Sequence, residues 1–399
     1  MKILNIGHFY HVKGGSDRYM MSMEKLLQEH GHEVIPFAGK DEENEPTPYS
    51  NYFPVAGDVT PSQIMRIFYN REAARNLNSL ITDVQPDMAH MHIYYAKLSA
   101  SILPVFKKRN LPVVQTMHEY KAICPVYTLY RDGHICTDCQ GKHFYKAFLN
   151  RCNKSSFAHS GAIALQSYIA RWMGDVRNVD HFITVSEFQR QQILQFDVLK
   201  PEQITTVHNF LDATEYEPGD QPGNYFLYFG RLDKTKGVMT LIQAMKELPD
   251  IELRIAGTGP QEEELRSFVE ENSLTNVRFL GFRSGADLHD TIRGAIACVI
   301  PSEWYETFGL TTIESFALGR PVIGAAIGGI TEVISDGKDG LLFESGNMSQ
   351  LREKISWMAA QPQETLVAMG QHGRKKVETQ FGREKHYENL SAVYDKILH

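Results

Sequence analysis

Short apolar runs recur along this chain, each followed by a stretch whose apolar residues fall three and four apart, and that alternation restricts the fold more than any other feature of the sequence. In the first half the runs are Lys2 to Ile6, Glu33 to Phe37, Met88 to His92, Pro112 to Met117, His181 to Val185 and Ile204 to Val207. The first leads into a Gly14-Gly15 turn and a helix predicted to be capped by Ser16, with Tyr19, Met23, Leu26 and Leu27 on one stripe and Gly31 at its end. Around Asp212 to Asn224 the pattern lapses into acidic, proline and glycine residues that suit a linker. It then restarts, with strands expected at Tyr225 to Phe229, Glu252 to Ala256, Val277 to Leu280, Ala297 to Ile300 and Pro321 to Gly324, and a last amphipathic helix over Phe381 to His399. Strands alternating with helices predict α/β domains built on parallel sheets covered on both faces. A length of 399 residues suits two such domains at roughly 150 residues each. The expected division is 1–208, a linker over 209–224, 225–380 and a terminal helix over 381–399.

Composition narrows the function classes. Hydrophobic residues at 42% and charged residues at 22% fit a globular enzyme, and a formal charge of −7 argues against nucleic acid, whose phosphates demand a basic face. No uninterrupted apolar run of roughly 18 residues is present, so no spanning helix is expected. The start, MKILNIGHFY, reads as a strand rather than a secretory leader, which predicts a cytoplasmic protein. One stretch departs from the acidic balance. Lys142, Lys146, Arg151, Lys154, Arg171 and Arg177 face only Asp175, among Phe144, Tyr145, Phe148, Phe157, Tyr168 and Trp172. Two readings stand: a solvated face over a core, or an interfacial segment that docks on an anionic membrane surface.

Ligands of doubly wound sheets bind beyond the carboxyl ends of the strands, so the loops leaving Ile6, Phe229, Ala256 and Ile300 carry most of the information. After Ile6, Gly14 and Gly15 let a backbone approach a ligand at a helix N-terminus, or simply form a turn. After Phe229, GRLDKTKG projects Arg231 and Lys236, a planar fork and a compact point charge that could clamp a diphosphate or be ordinary surface charge. After Ile300, PSEWYETFGLTTIESFALGRPVI places Glu306 in a loop and Glu314 in the helix begun near Leu310. The Phe308, Gly309 and Leu310 amides would then face an anion.

Taken together, GRLDKTKG, the Ala256-Gly257-Thr258-Gly259-Pro260 run and the Glu306 to Glu314 motif resemble family 4 of the retaining glycosyltransferases, whose GT-B fold sets two Rossmann-like domains facing each other across a cleft. The resemblance covers the whole chain. It implies that Glu306 and the amides after it hold the donor sugar, that Glu314 holds the ribose hydroxyls, and that Arg231 and Lys236 clamp the diphosphate. It also places Gly281 and Phe282 beside the base, Gly15 as the close approach of the N-terminal domain, and His118 near the sugar and acceptor. The residues alone favour reading His118 as a histidine satisfying a strand end, and the resemblance reverses that preference. The implied reaction moves a sugar from a UDP- or GDP-sugar to a lipid-linked or polysaccharide acceptor in cell-surface polysaccharide assembly. No metal is required for the chemistry, because positive side chains and a helix N-terminus act on the leaving group. The final helix would cross back to the N-terminal domain.

Four of the five cysteines, Cys124, Cys136, Cys139 and Cys152, lie in a stretch read as an insertion over about 120–155. In a cytoplasmic chain they suggest a closed structural zinc site or a cluster of buried thiols. The typical family member lacks them, although HEYKAICP with later cysteines resembles a subgroup. Three rival functions share features of this sequence: a nucleotide-sugar epimerase, a non-catalytic zinc-braced binding protein on the same fold, and a glycosidase using Glu306 and Glu314. The glycosidase has no use for Arg231 and Lys236, and the epimerase lacks an assignable acid and base pair.

Overall fold

The computed structural model describes residues 1–55, 61–95 and 97–398, excluding the side chains of 61–64. Two units emerge from it. One comprises Met1–Leu129, Thr137–His208 and the end of the chain from Tyr387, and the other comprises Tyr130–Cys136 and Asn209–His386.

The first unit carries strands β1 (Lys2–Ile6), β2 (Glu33–Phe37), β3 (Met88–Met91) and β4 (Val113–Met117). A two-stranded antiparallel ribbon, β5 (Tyr130–Arg131) and β6 (His134–Ile135), belongs to the second unit. Its Asp132-Gly133 turn has both residues at positive φ, the geometry that a two-residue hairpin needs. β7 (His181–Thr184) and β8 (Ile204–Thr206) complete the first sheet, all parallel, in the order β2-β1-β3-β4-β7-β8. The expected strands of this half are all present, each within a residue or two. The first helix, Gly15–Glu29, corrects the expected Ser16 cap: Gly14 is the cap, because the Asp17 carboxylate turns back to accept from the Gly14 N–H at 3.1 Å.

The second unit carries β9 (Tyr225–Phe229), β10 (Glu252–Ala256), β11 (Val277–Gly281), β12 (Ala295–Ile300), β13 (Val322–Ala325) and β14 (Gly340–Phe343). They form a parallel sheet in the order β11-β10-β9-β12-β13-β14. β14 was not anticipated, because GLLF is too short to stand out. β9 is buried along its whole length, and the buried Leu241, Ile242, Leu253, Ile255 and Val299 side chains belong to the same core cluster. Each such side chain contributes on the order of 1.5–3 kcal/mol of burial.

Both sheets reverse direction once, between β1 and β3 in the first and between β9 and β12 in the second. At such a switch point the flanking loops splay apart and leave a crevice. The segment read as a linker is anchored to the second unit. Arg374 donates to the Ala213 and Tyr216 carbonyls at 2.8 and 2.6 Å, and the buried Arg320 donates to the Gln221 carbonyl at 2.7 Å. The final helix, Arg383–Leu398, begins in the second unit and ends in the first, where Tyr387 stacks on His30 at 3.6 Å and the Tyr394 hydroxyl bonds His90 Nδ1 at 2.6 Å.

Glycines let the loops above the second sheet touch backbone to backbone. A Cβ on Gly257, where φ is +145°, would lie 1.9 Å from the Gly230 carbonyl oxygen, and one on Gly259 would lie 2.2 Å from that of Leu232. Neither neighbour is a side chain that could swing aside. Gly257→Ala is therefore expected to destabilise the second unit by roughly 2–4 kcal/mol, several degrees in the thermal midpoint. Gly281→Ala, also at positive φ but with open space around it, should cost only about 1 kcal/mol of backbone strain. Equal midpoints for the two variants in thermal unfolding would refute this account of the loops.

Candidate functional site

At the switch point of the second sheet, β9 ends at Phe229 and the chain turns through Gly230 into Arg231, Leu232 and Asp233. The Asp233 carboxylate caps a single turn over Lys234–Lys236 by accepting from the Thr235 N–H at 3.1 Å. Gly237, at φ +66°, then reverses the chain into the helix Val238–Met245. A Cβ on Gly237 would lie 1.9 Å from the Pro301 carbonyl oxygen, so the loop after β9 lies directly against the loop after β12. The Glu303 N–H donates to the Thr235 carbonyl at 2.8 Å across the same seam.

That seam brings Lys236 and Glu306 together. Lys236 Nζ donates to Glu306 Oε1 at 2.6 Å, and the Ser302 hydroxyl donates to the same oxygen at 2.7 Å. The ammonium also lies 5.1 Å from the centre of the Trp304 ring. Burial alone would raise the Glu306 carboxyl, but the charge of Lys236 and the two hydrogen bonds outweigh it and hold the group below its ordinary value of 4.5. From the other side, the Gly329 N–H donates to the Glu306 carbonyl at 2.8 Å, and a Cβ on Gly328 would lie 2.4 Å from that oxygen. The loop that carries Glu306 is thus fixed on both flanks.

The remaining residues implied for the donor lie on neighbouring elements of this unit. Phe308 is buried against Phe381, with ring centres 5.5 Å apart. Gly309, at φ +108°, caps the helix Leu310–Ala317, and Glu314 is buried within that helix. Gly281 closes β11 at φ +71°, its carbonyl accepting from the Gly257 N–H at 2.7 Å, and the Phe282 ring is 73% exposed. Arg231 is exposed on the β9 loop. The structure therefore joins Lys236 to Glu306 by direct contact and leaves Arg231, Phe282 and Glu314 on separate elements. Ser302, Trp304 and the Gly328-Gly329 pair were not singled out from the sequence, and only their nearness in the chain to Glu306 and to β13 could have drawn attention to them.

In the first unit, Gly15 is the first residue of the helix after β1, and His118 follows β4. His118 Nε2 lies 3.1 Å from His92 Nδ1, and the ring meets Tyr19 edge-on at 5.0 Å. Burial pushes the imidazole down to about 3, so it is neutral near pH 7. Beyond it opens a cavity of about 520 Å³ lined by His8, Tyr95, Glu119, Lys121, Asn153 and Gln166, among others. Burial raises the Glu119 carboxyl and lowers the Lys121 ammonium, and each is partly offset by the other's charge.

Cys124, Cys139 and Cys152, which share the first unit, do not converge on one point among the described residues, as a closed zinc site would require. Cys139 and Cys152 pack in a small apolar cluster with Phe144, Ala147 and Ala164, Cys124 is buried, and Cys136 groups with the second unit. Among the described residues the only His, Cys, Asp or Glu side chains that converge in threes are His11, Asp41 and Glu43. Cys298 lies buried in β12.

Replacing Lys236 with Met leaves Glu306 buried without its cation, so burial should then raise the carboxyl above 4.5. In the wild type the lowered group stabilises the fold above about pH 4.5, and that contribution is lost as pH falls through the lowered value. In the variant the sign reverses and stability is lost as pH rises. Because Lys236 is 28% exposed, the expected deficit near pH 7 is about 1–3 kcal/mol, shrinking toward pH 4. Denaturant midpoints of both proteins between pH 4 and 7 check this, and a pH-independent deficit would contradict it.

A family model described as Glycosyltransferase Family 4 matches residues 13–215, and one described as Glycosyl transferases group 1 matches residues 215–376. The chain is similar to an uncharacterized glycosyltransferase of Methanocaldococcus jannaschii, with 25% identity over 398 residues, 100% of this chain and 99% of that one. It is also similar to glycogen synthase of Mycobacterium tuberculosis, with 27% identity over 86% of this chain and 82% of that one. Among solved structures, sucrose-phosphate synthase from Thermosynechococcus elongatus superposes with a TM-score of 0.72 at 21% identity, covering 99% of this chain and 98% of that one. HepE of Anabaena, in complex with UDP and glucose, superposes with a TM-score of 0.70 at 17% identity over 99% of each chain. Both likenesses show the GT-B fold.

Proposed function

This chain belongs to glycosyltransferase family 4, and from that premise we propose that it is a retaining transferase that moves a sugar from a nucleotide-sugar donor to a lipid-linked or polysaccharide acceptor. The observation that carries this reading is the Lys236–Glu306 pair at the switch point of the second sheet. A fixed cation and a fixed carboxylate in contact suit a ligand that is anionic at one end and rich in hydroxyls at the other. Lys236, joined by Arg231, takes the diphosphate and neutralises the charge that grows on it as it leaves. Glu306 accepts from the sugar hydroxyls, and the Phe308, Gly309 and Leu310 amides approach the same sugar at the start of a helix. Glu314 takes the ribose hydroxyls, while Gly281 and Phe282 border the base.

The chemistry needs no metal in this reading. The bond from C1 to the diphosphate oxygen breaks, the acceptor oxygen bonds C1 on the same face, and the departing diphosphate takes the acceptor's proton. The protein positions both reactants. His118 and the adjoining cavity in the first unit supply the acceptor side, Gly15 is the close approach of that unit to the donor, and Glu119, Lys121, Asn153 and Gln166 offer the polar groups that an acceptor saccharide would use. A UDP-sugar is the first donor to test, since HepE holds UDP and glucose, with GDP-sugars next.

The helix Phe157–Met173 supports a peripheral position at the cytoplasmic face of a membrane. Phe157, Leu165, Tyr168 and Trp172 form an exposed stripe on it, Trp172 being 77% exposed, and Lys142, Arg151, Lys154 and Arg177 are exposed nearby in the chain. No helix among the described residues is long and apolar enough to cross a membrane. Co-sedimentation with phosphatidylglycerol vesicles at low salt is expected, weakened by Trp172→Ala and by added salt. Absence of binding would remove the membrane from this reading.

The donor is tested by thermal unfolding against UDP, GDP, ADP and their sugar conjugates. A nucleotide at 100 times its dissociation constant should stabilise by about 2.7 kcal/mol, a shift of several degrees. Lys236→Ala should abolish most of the shift. If no nucleotide shifts the wild type at millimolar concentration, the transferase reading of this site fails.

A further inference from the structure

A line of buried polar groups runs behind His118, and its hydrogen bonds permit one arrangement of protons. In the register of the first sheet Asn5 on β1 lies beside His90 on β3, and the His92 N–H donates to the Ile6 carbonyl at 2.8 Å, which sets His92 just past the end of β3. The far end of the line is Glu24, on the helix Gly15–Glu29. Its carboxylate accepts from the Tyr10 hydroxyl at 2.7 Å and from Asn5 Nδ2 at 3.1 Å.

A carboxylate can only accept, so the Asn5 amide nitrogen must face Glu24 and its oxygen must face His92. Asn5 Oδ1 lies 3.1 Å from His92 Nε2, and that nitrogen must therefore carry a proton and donate it. A neutral imidazole has one N–H, so His92 Nδ1 presents a lone pair. The atom 3.1 Å from that lone pair is His118 Nε2, which must in turn donate. The same rule then makes His118 Nδ1 the accepting nitrogen. The neutrality that this requires agrees with the environment: burial lowers both imidazoles, and for His92 the neighbouring His90 and His118 lower it further. His90 serves a separate pair of hydroxyls, Tyr394 and Thr116, at 2.6 and 2.7 Å. It stacks on His92 at 4.6 Å without entering the line.

We propose that His92, oriented by Asn5 and Glu24, is a positioning residue that fixes His118 with its proton on Nε2, so that His118 Nδ1 accepts a hydrogen bond from a hydroxyl of the bound sugar or acceptor. This rests on the reading of His118 as a residue that faces substrate. The wired tautomer cannot donate from Nδ1, so it selects a hydroxyl over an anionic oxygen at that position. An Nδ1–H tautomer would favour the opposite choice.

The wiring is measured apart from activity by long-range ¹H–¹⁵N spectra of protein labelled at histidine. His118 is expected to show its proton on Nε2 in the wild type. It should do so again in His92→Gln, whose amide oxygen can accept from His118 while its NH2 donates to Asn5. His92→Leu should give mixed tautomers. A wild-type His118 protonated on Nδ1 overturns the proposal, and so does a His92→Leu spectrum that matches His92→Gln. Turnover of the nucleotide sugar that most raises the thermal midpoint should fall on the order of 10- to 100-fold in His92→Leu with little change in the donor KM, and should recover in His92→Gln. If the tautomer is as wired but His118→Ala keeps full turnover, the contact between His118 and substrate is overturned while the hydrogen-bonded line stands.

Discussion

The second unit depends on how closely its loops approach one another. Strands in a parallel sheet lie about 4.8 Å apart, and the loops that leave their carboxyl ends normally diverge because side chains hold them off. Here Gly257 and Gly259 let the loop after β10 touch the loop after β9, and Gly237 lets the β9 loop touch the β12 loop. Gly328 and Gly329 close the far side against Glu306. Four loops therefore form one rigid collar above the sheet, and its few charged side chains are held there by contacts they do not make themselves. Lys236 meets Glu306 because two backbones touch.

The two units treat polar groups differently at equivalent places. Above the second sheet a cation and an anion face each other, and the charge of Lys236 holds the Glu306 carboxyl below its ordinary value despite its burial. In the first unit the buried line joins neutral imidazoles, an amide and a hydroxyl to the Glu24 carboxylate, and its worth lies in the direction of each hydrogen bond. A diphosphate suits the first kind of environment and a set of sugar hydroxyls suits the second.

Much of this was legible in the residues. The apolar runs located all eleven remaining large-sheet strands to within two residues once β14 is set aside, because a doubly buried strand has no polar face to blur it. β14 and the β5–β6 ribbon were missed because two to four residues carry no periodicity. Asp17 shifted the start of the first helix to Gly15 by reaching back to Gly14, a contact that the Ser16 reading did not weigh. Within the site, Lys236 and Glu306 were visible through their motifs, but Asn5, Glu24 and His92 were not. They lie far apart in the chain, Asn5 and His92 within apolar runs that read as ordinary strands and Glu24 on a helix where a lone carboxylate reads as solvated. The cysteine stretch was less legible, since C-x2-C spacing describes the chain and not where the folded backbone sends each thiol.

The helix Arg383–Leu398 ties His30 and His90 to residues hundreds of positions further along the chain. His90 lies in the third strand of the first sheet, yet one of its two hydroxyl partners is Tyr394, and His30 finds its stacking partner in Tyr387. During synthesis the first sheet emerges from the ribosome long before those tyrosines do. Until they arrive, the His90 ring lacks the hydroxyl that fixes its Nδ1, so the first sheet stays incomplete until a segment 304 residues further along the chain has been made.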